Sequence, residues 1–490
     1  MMSILEKMNQ LKGIMRKGLR KSFNRLGLAL SLLVSMVWCT PAHAISIKEE
    51  KELSQEFMRY VHRYYDLVED PLINAYVNDV GQKILAKIPT QPFDYRFFVI
   101  KENVYNAFAI PAGYIFINSG MLLAMEHEDE LAGILAHEIS HVVCRHISQR
   151  IERSKKLDLA TMAGVVAGVF LGVAGGSAEA AQALTLGSMA AGQTLALAYS
   201  REDESQADQF GLAYLEEAGY SAEGLLIILK KIRSRQWFGT SQIPTYMMTH
   251  PAVEDRIAHI DAWLSTRQTA DPQHHLTAGP SKQLQRVQYR LRALYAEPNG
   301  AAQFFEAILK KTPSDADAAH AYGLLLARMG KRQEAFDYLQ TALAVNPLDP
   351  TLLSDLGKVH FSDGNTKEAL KILQGAASLP GRNSEGLFYL GRTYMELGDF
   401  NNAVDIFENL LEANSGYTAA YLALGQTYGK LARIPEAHYF LGIYHYELGD
   451  DRTAQYHLSR AQQGLNDPKK IEKTRRLLEA IGKLPAEQTQ

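Results

Sequence analysis

The sequence predicts a chain in two parts: an α+β module, mostly helical with a small sheet, followed by an all-α repeat solenoid. Three observations predict it. Short runs rich in β-branched and aromatic residues come first, an amphipathic helix carrying His-Glu-x-x-His follows, and small residues then recur every 34 positions through the C-terminal half. With 490 residues and 47% apolar composition, the chain is long enough for two or three domains with cores of their own.

The strands come from Tyr95 to Lys101 and from Tyr114 to Asn118, where aromatic and β-branched side chains dominate. They imply a small sheet ahead of the helix. An edge strand of such a sheet can accept an extended polypeptide through main-chain hydrogen bonds, or can serve the core alone.

Leu131, Ile134, Leu135, Ile139 and Val142 recur at helical spacing and place a helix near residues 128 to 150. Within it, His137 and His141 stand one turn apart on one face, a spacing at which two imidazoles can hold one metal ion. Glu138 follows the first of them and is placed to take a proton from a water at that metal, the general-base step of peptide hydrolysis. The pattern nominates a metalloprotease. A metzincin would need Gly and His where Cys144 and Ile147 stand, so that class is excluded. A thermolysin-like third ligand is missing too, because no carboxylate occurs between Asp158 and Glu179.

Further on, Glu204 and Asp208 stand one turn apart and share a face with Ala207, Gly211 and Leu215. Glu204 is the preferred third ligand, and Glu202 lies on a solvated face. Asp208 can hydrogen-bond the free ring nitrogen of a metal-bound His, or donate a proton. His146 is turned away from His137 and His141 on a continuous helix and is expected at the surface. Cys144 is assigned no role, since a lone buried Cys is commonly just a small apolar side chain.

His137-Glu-Ile-Ser-His141, then Ser200-Arg-x-x-Glu204-x-x-Ala207-Asp208, resembles the HtpX-like and CAAX-prenyl-protease-like zinc peptidases, a gluzincin family. Asp70-Pro71-Leu72 with Tyr76, Val77 and Gly81, and Asn106-Ala-Phe-Ala109 with Pro111-Ala-Gly113, resemble the segments that precede the metal helix in that family. The resemblance implies a zincin-type fold, one Zn2+ on His137, His141 and Glu204, Glu138 as catalytic base and Asp208 as proton donor. It also draws in Thr249-His250-Pro251 with Arg256, where His250 is either an oxyanion stabiliser or a fourth ligand in a resting state. Where the family more often has Gly-Gly, this chain has Ala112-Gly113.

Near the start, Arg16, Lys17, Arg20, Lys21 and Arg25 precede an apolar run from Leu26 to Trp38, and Ala42-His43-Ala44 offers small residues for cleavage. These are the parts of a signal peptide, with cleavage expected after Ala44 and an uncleaved anchor as the rival. Loss of residues 1–44 changes the balance from 51 basic against 54 acidic residues to 44 against 53. A chain carrying about −9 lacks the basic footprint of a nucleic-acid binder. Only Cys144 then remains, so no internal disulfide is expected. Residues 159–192 hold a single charge, Glu179, and many Ala and Gly. They fit a buried helical hairpin, an apolar surface touching substrate or membrane, or a span.

Gly323, Gly357, Gly391 and Gly425 are 34 residues apart, and Ala335, Ala369, Ala403 and Ala437 keep the interval. This period with these residue types indicates tetratricopeptide repeats, with the small residues where paired helices approach and Leu339, Leu373, Phe407 and Leu441 filling the space between. Gly442, Ala454 and Leu458 continue the phase after half a period, so one helix near 436 to 447 serves two neighbouring repeats. The concave face of such a stack receives a peptide or partner protein.

The expected domains are a signal peptide at 1–44, a metallopeptidase domain at 45–270, a linker at 271–283 and the array at 284–485. An exported zinc peptidase joined to such an array is similar to periplasmic proteases of Gram-negative bacteria. That similarity implies quality control of outer-membrane β-barrel proteins. The array would dock a client or the assembly machinery, and the protease would remove misfolded or stalled polypeptide. The competing reading is a chaperone or adaptor in which the repeats do the work and the metal site is latent.

Overall fold

The computed structural model describes residues 45–153, 199–238, 245–268 and 281–482. The expected signal peptide, the apolar stretch 159–192 and the expected linker up to residue 280 lie outside the described residues. No described helix is long and apolar enough to cross a membrane.

The first module opens with α1 (Ile47–Tyr64) and α2 (Pro71–Leu85). Asp70 starts α2 by accepting the Ile73 amide at 3.1 Å, and Pro71 supplies a preset φ where no amide is needed. Three strands follow: β1 (Arg96–Ile100), β2 (Ala107–Ile110) and β3 (Tyr114–Asn118). Their order is β1-β3-β2, with β1 parallel to β3 and β2 antiparallel to it, which leaves β2 at an edge. The two strands expected from composition are present, and the pairing adds β2, which overlaps the Asn106–Ala109 segment and ends at Ile110.

After α3 (Ser119–Ala124) comes α4 (Glu128–Val143), which carries His137 and His141 and whose Leu131, Ile134, Leu135, Ile139 and Val142 are all buried. The helix does not run on to 150. Arg145 takes φ +54, a left-handed conformation, and α5 (His146–Arg153) starts in a new direction. The module is completed by α6 (Arg201–Ala218), α7 (Glu223–Phe238), α8 (Thr245–Thr249) and α9 (Val253–Gln268). Helix α6 begins with a capping box between Ser200 and Asp203 and stops at Gly219. Gly211 lets α6 press against α4: a Cβ there would meet the main-chain nitrogen of His137 at 3.3 Å.

The solenoid consists of α10 (Lys282–Tyr295), α11 (Pro298–Lys311), α12 (Ala316–Arg328), α13 (Arg332–Val345), α14 (Pro350–Ser362), α15 (Thr366–Ser378), α16 (Ser384–Glu396) and α17 (Phe400–Ala413). It ends with α18 (Thr418–Lys430), α19 (Ile434–Glu447), α20 (Asp451–Gln462) and α21 (Pro468–Gly482). The small-large pairing is borne out in space. A Cβ on Gly357 would lie 2.5 Å from the Leu373 side chain, and one on Gly442 would lie 2.7 Å from Leu458, so α19 also pairs with α20.

Helix α10 belongs to both modules. Leu284, Val287 and Leu291 join the peptidase core, while Tyr289 and Ala293 join the core of the repeats. Between these two faces, buried Arg290 holds Asp70 at the start of α2 (Nε to Oδ2, 3.0 Å) and Asp355 of α14 (Nη2 to Oδ1, 3.3 Å).

Candidate metal centre

Helix α4 presents His137 and His141 on one face, and α6 crosses it closely enough to bring Glu204 to both. The two Nε2 atoms are 3.0 Å apart, with Glu204 Oε2 at 3.5 Å from that of His137 and Glu204 Oε1 at 3.5 Å from that of His141. His250, at the end of α8, adds Nδ1 at 3.4 Å from His137 Nε2 and 3.1 Å from Glu204 Oε1. One donor atom from each of these four residues lies within 4.8 Å of the rest, and all four side chains are buried. Donors gathered tetrahedrally on one small ion stand about 3.3 to 3.6 Å apart. The observed spacing fits a metal ion.

Supporting hydrogen bonds set which ring nitrogens are free. His137 Nδ1 faces Asp208 Oδ1 at 2.9 Å, so its proton sits there and Nε2 keeps a lone pair toward the cluster. His141 Nδ1 meets His146 Nδ1 at 2.8 Å, and His146 Nε2 meets Gln206 Oε1 at 2.8 Å. With the His146 proton donated to the amide oxygen, His146 Nδ1 accepts from His141, and His141 Nε2 is left as the donor atom. His146 is thus buried beside the site and not at the surface. The expectation failed because it assumed a continuous helix, and the turn at Arg145 swings the ring back.

Arg256 of α9 holds the carboxylates in place. It grips Asp208 through Nε at 2.8 Å and Nη2 at 2.7 Å, and reaches Glu204 Oε2 through Nη1 at 2.7 Å. Both Asp208 oxygens are therefore engaged away from the donor cluster. Burial opposes ionisation of Glu204, yet Arg256 and the histidines outweigh it and hold the carboxyl well below its ordinary range. Burial and Arg256 disfavour the charged His137 ring, but its bonds to Asp208 and Glu204 prevail and raise its pKa to about 9, so a metal ion would displace the Nε2 proton on binding. Burial lowers His141 well below the usual imidazole value.

Glu138 stands apart in this set. It is fully buried, both carboxylate oxygens lack a hydrogen-bond partner, and His250 Nε2, likewise without one, lies 3.6 Å from Oε1. Burial pushes its pKa up. A carboxylate kept without partners is costly unless a transient group uses it.

The structure brings together every residue expected at the site: His137, Glu138, His141, Glu204, Asp208 and His250. It adds Tyr199, stacked on His141 with centroids 3.6 Å apart, and Tyr246, stacked on His250 at 4.3 Å. Neither was legible as a site residue. Arg256, drawn in by the family resemblance without a role of its own, shares the buried face of α9 with Val253, Ile257 and Ile260.

Two imidazoles from one helical turn, a carboxylate from a second helix and an unpartnered buried glutamate define a metallopeptidase of the His-Glu-x-x-His class. Residues 71–264 match Peptidase family M48, and residues 326–385 and 385–415 match tetratricopeptide repeats. The chain therefore carries an M48 metallopeptidase domain followed by a repeat array. A putative beta-barrel assembly-enhancing protease of Vibrio cholerae is 28% identical over 291 residues, covering 59% of this chain and 58% of that protein. The beta-barrel assembly-enhancing protease of Escherichia coli is 26% identical over 324 residues, 64% of each chain. The mitochondrial metalloendopeptidase OMA1 of Schizosaccharomyces pombe is 28% identical over 237 residues, 47% of this chain and 66% of that one. The match spans about three fifths of the length of the two bacterial relatives.

Proposed function

We propose that the chain is an exported zinc endopeptidase that degrades misfolded or stalled polypeptides during assembly of outer-membrane β-barrel proteins, with the repeat array docking client or machinery. The observation that carries the chemistry is the convergence of His137, His141, Glu204 and His250 beside a partnerless Glu138. The compact mixed nitrogen and oxygen donor set suits zinc. The names of the bacterial relatives support the client class, and the basic-then-apolar start of the chain supports export to the periplasm.

A bound zinc ion supplies Lewis acidity to the scissile carbonyl and to the attacking water. Glu138 takes the proton of that water on a carboxylate oxygen and returns it to the departing amine nitrogen, a transfer its raised pKa favours. Asp208 orients His137, and Arg256 fixes Asp208 and Glu204. With an ion on His137, His141 and Glu204, His250 would stand where a catalytic site stays open; it would have to turn aside for water and substrate, and could then stabilise the oxyanion.

That closed set of four donors also favours the second reading, an adaptor with a latent site. Complementation by full-length Glu138→Gln separates the two. A protease loses function in that variant, and an adaptor keeps it.

A further inference from the structure

A second imidazole cluster lies far along the chain, where α19 pairs with α20. His438 and His457 face each other across the two helices with Nδ1 atoms 2.8 Å apart. His445, two turns along α19 from His438, lays its ring parallel to that of His457, at 3° and with centroids 5.6 Å apart. Its own Nδ1 lies 3.2 Å from Asp450 Oδ2, in the turn between the helices.

The backbone holds these rings together. Gly442 and Leu458 are in contact between His438 and His445 on one side and His457 on the other, and they set the helix spacing. All three imidazoles are partly exposed, so an ion in solution can reach them. Burial lowers the pKa of His457 and of His438; the neighbouring imidazoles His438 and His445 add to this for His457, and Arg460 adds to it for His438. Both rings are therefore neutral at pH 7, with lone pairs available. A protein-only account needs one Nδ1 to donate to the other and leaves the remaining lone pairs to water. A metal ion uses both.

We propose that His438 and His457, joined by His445 after a side-chain rotation, bind a divalent first-row transition ion between α19 and α20. Imidazole donors on a partly open surface site favour Cu2+ over Zn2+ by the ordinary order of complex stability. The ion cross-links α19 and α20, which otherwise meet through Gly442 and Leu458. Nothing in the peptidase reaction requires this site, so its loss leaves the catalytic zinc in place.

The test is titration of full-length protein, zinc already bound at the peptidase site, with Cu2+ followed by electron paramagnetic resonance. Wild type takes up one further equivalent with a nitrogen-ligand signature. The double variant His438→Asn, His457→Asn loses that equivalent, and His445→Asn binds about tenfold more weakly. Melting curves without added metal verify that the variants fold, and Cu2+ raises the melting temperature of wild type alone. The site is overturned if the double variant binds Cu2+ as wild type does, or if wild type shows no nitrogen-ligated copper. In either case the His438–His457 contact is a hydrogen bond only.

Discussion

His146 Nδ1 lies 2.8 Å from His141 Nδ1, five residues apart in sequence yet on two different helices. The contact exists because Arg145 breaks the metal helix, and it locks the His141 tautomer that leaves Nε2 free. Replacing His146 with Ala should weaken zinc affinity about 10- to 100-fold, as loss of an outer partner to a ligating His does. Competition with a calibrated chelator measures this. An unchanged affinity would show that the tautomer needs no help from His146.

Glu138→Gln preserves the size of the side chain and removes the base. Proteolysis of an unfolded substrate should fall at least about 100-fold. Metal content by elemental analysis should stay at one ion per chain, because Glu138 is not in the donor cluster. Loss of the metal in this variant would reassign Glu138 to a ligand role.

Arg256→Met leaves Asp208 and Glu204 buried with no guanidinium between them. Breaking a buried pair in this way costs about 3–5 kcal/mol. Zinc binding should offset part of it by neutralising Glu204, so the melting temperature of the variant should rise more on adding zinc than that of wild type. Equal rises would mean that Arg256 does not share Glu204 with the metal.

Arg290→Met should separate the modules energetically, because Arg290 is the buried cation between Asp70 and Asp355. Burial opposes ionisation of Asp355, and Arg290 with His320 outweighs it, so the folded pKa lies below the unfolded value of about 4. That contribution is fully present above the unfolded pKa and is lost as pH falls through the folded one. At pH 7 the variant should be less stable by about 3–5 kcal/mol, and near pH 3 the gap should narrow as the stranded Asp355 carboxylate protonates. Denaturant melts at the two pH values check this, and a gap that stays constant would exclude the linkage.

Gly391→Ala places a methyl 2.5 Å from the Phe407 ring. Overpacking of this kind costs about 1–3 kcal/mol, which thermal melts of the full chain would register. Peptidase activity below the transition should be unaffected. A neutral substitution would mean that α16 and α17 slide apart freely.

The donor residues were legible because each advertises itself locally. His137 and His141 share a helical face by spacing alone, and Glu204 and Asp208 sit on the buried face of α6 with Ala207 and Leu215. The repeats were legible because a fixed 34-residue period repeats the same close contact. Residues that act across elements left no such trace: Tyr199 and Tyr246 stack on His141 and His250 from separate segments, and Arg290 bridges two modules. Their spacing in sequence carries no information about their partners.

The sequence by itself determined the helical faces, the donor types and the repeat period, all of which follow from local periodicity. Tertiary structure alone decided that His250 closes the donor set, that His146 supports it and that α10 belongs to two cores. The physical reason is that those outcomes depend on a backbone torsion at Arg145 and on packing between distant helices. Neither is fixed by the residues next to them in the chain.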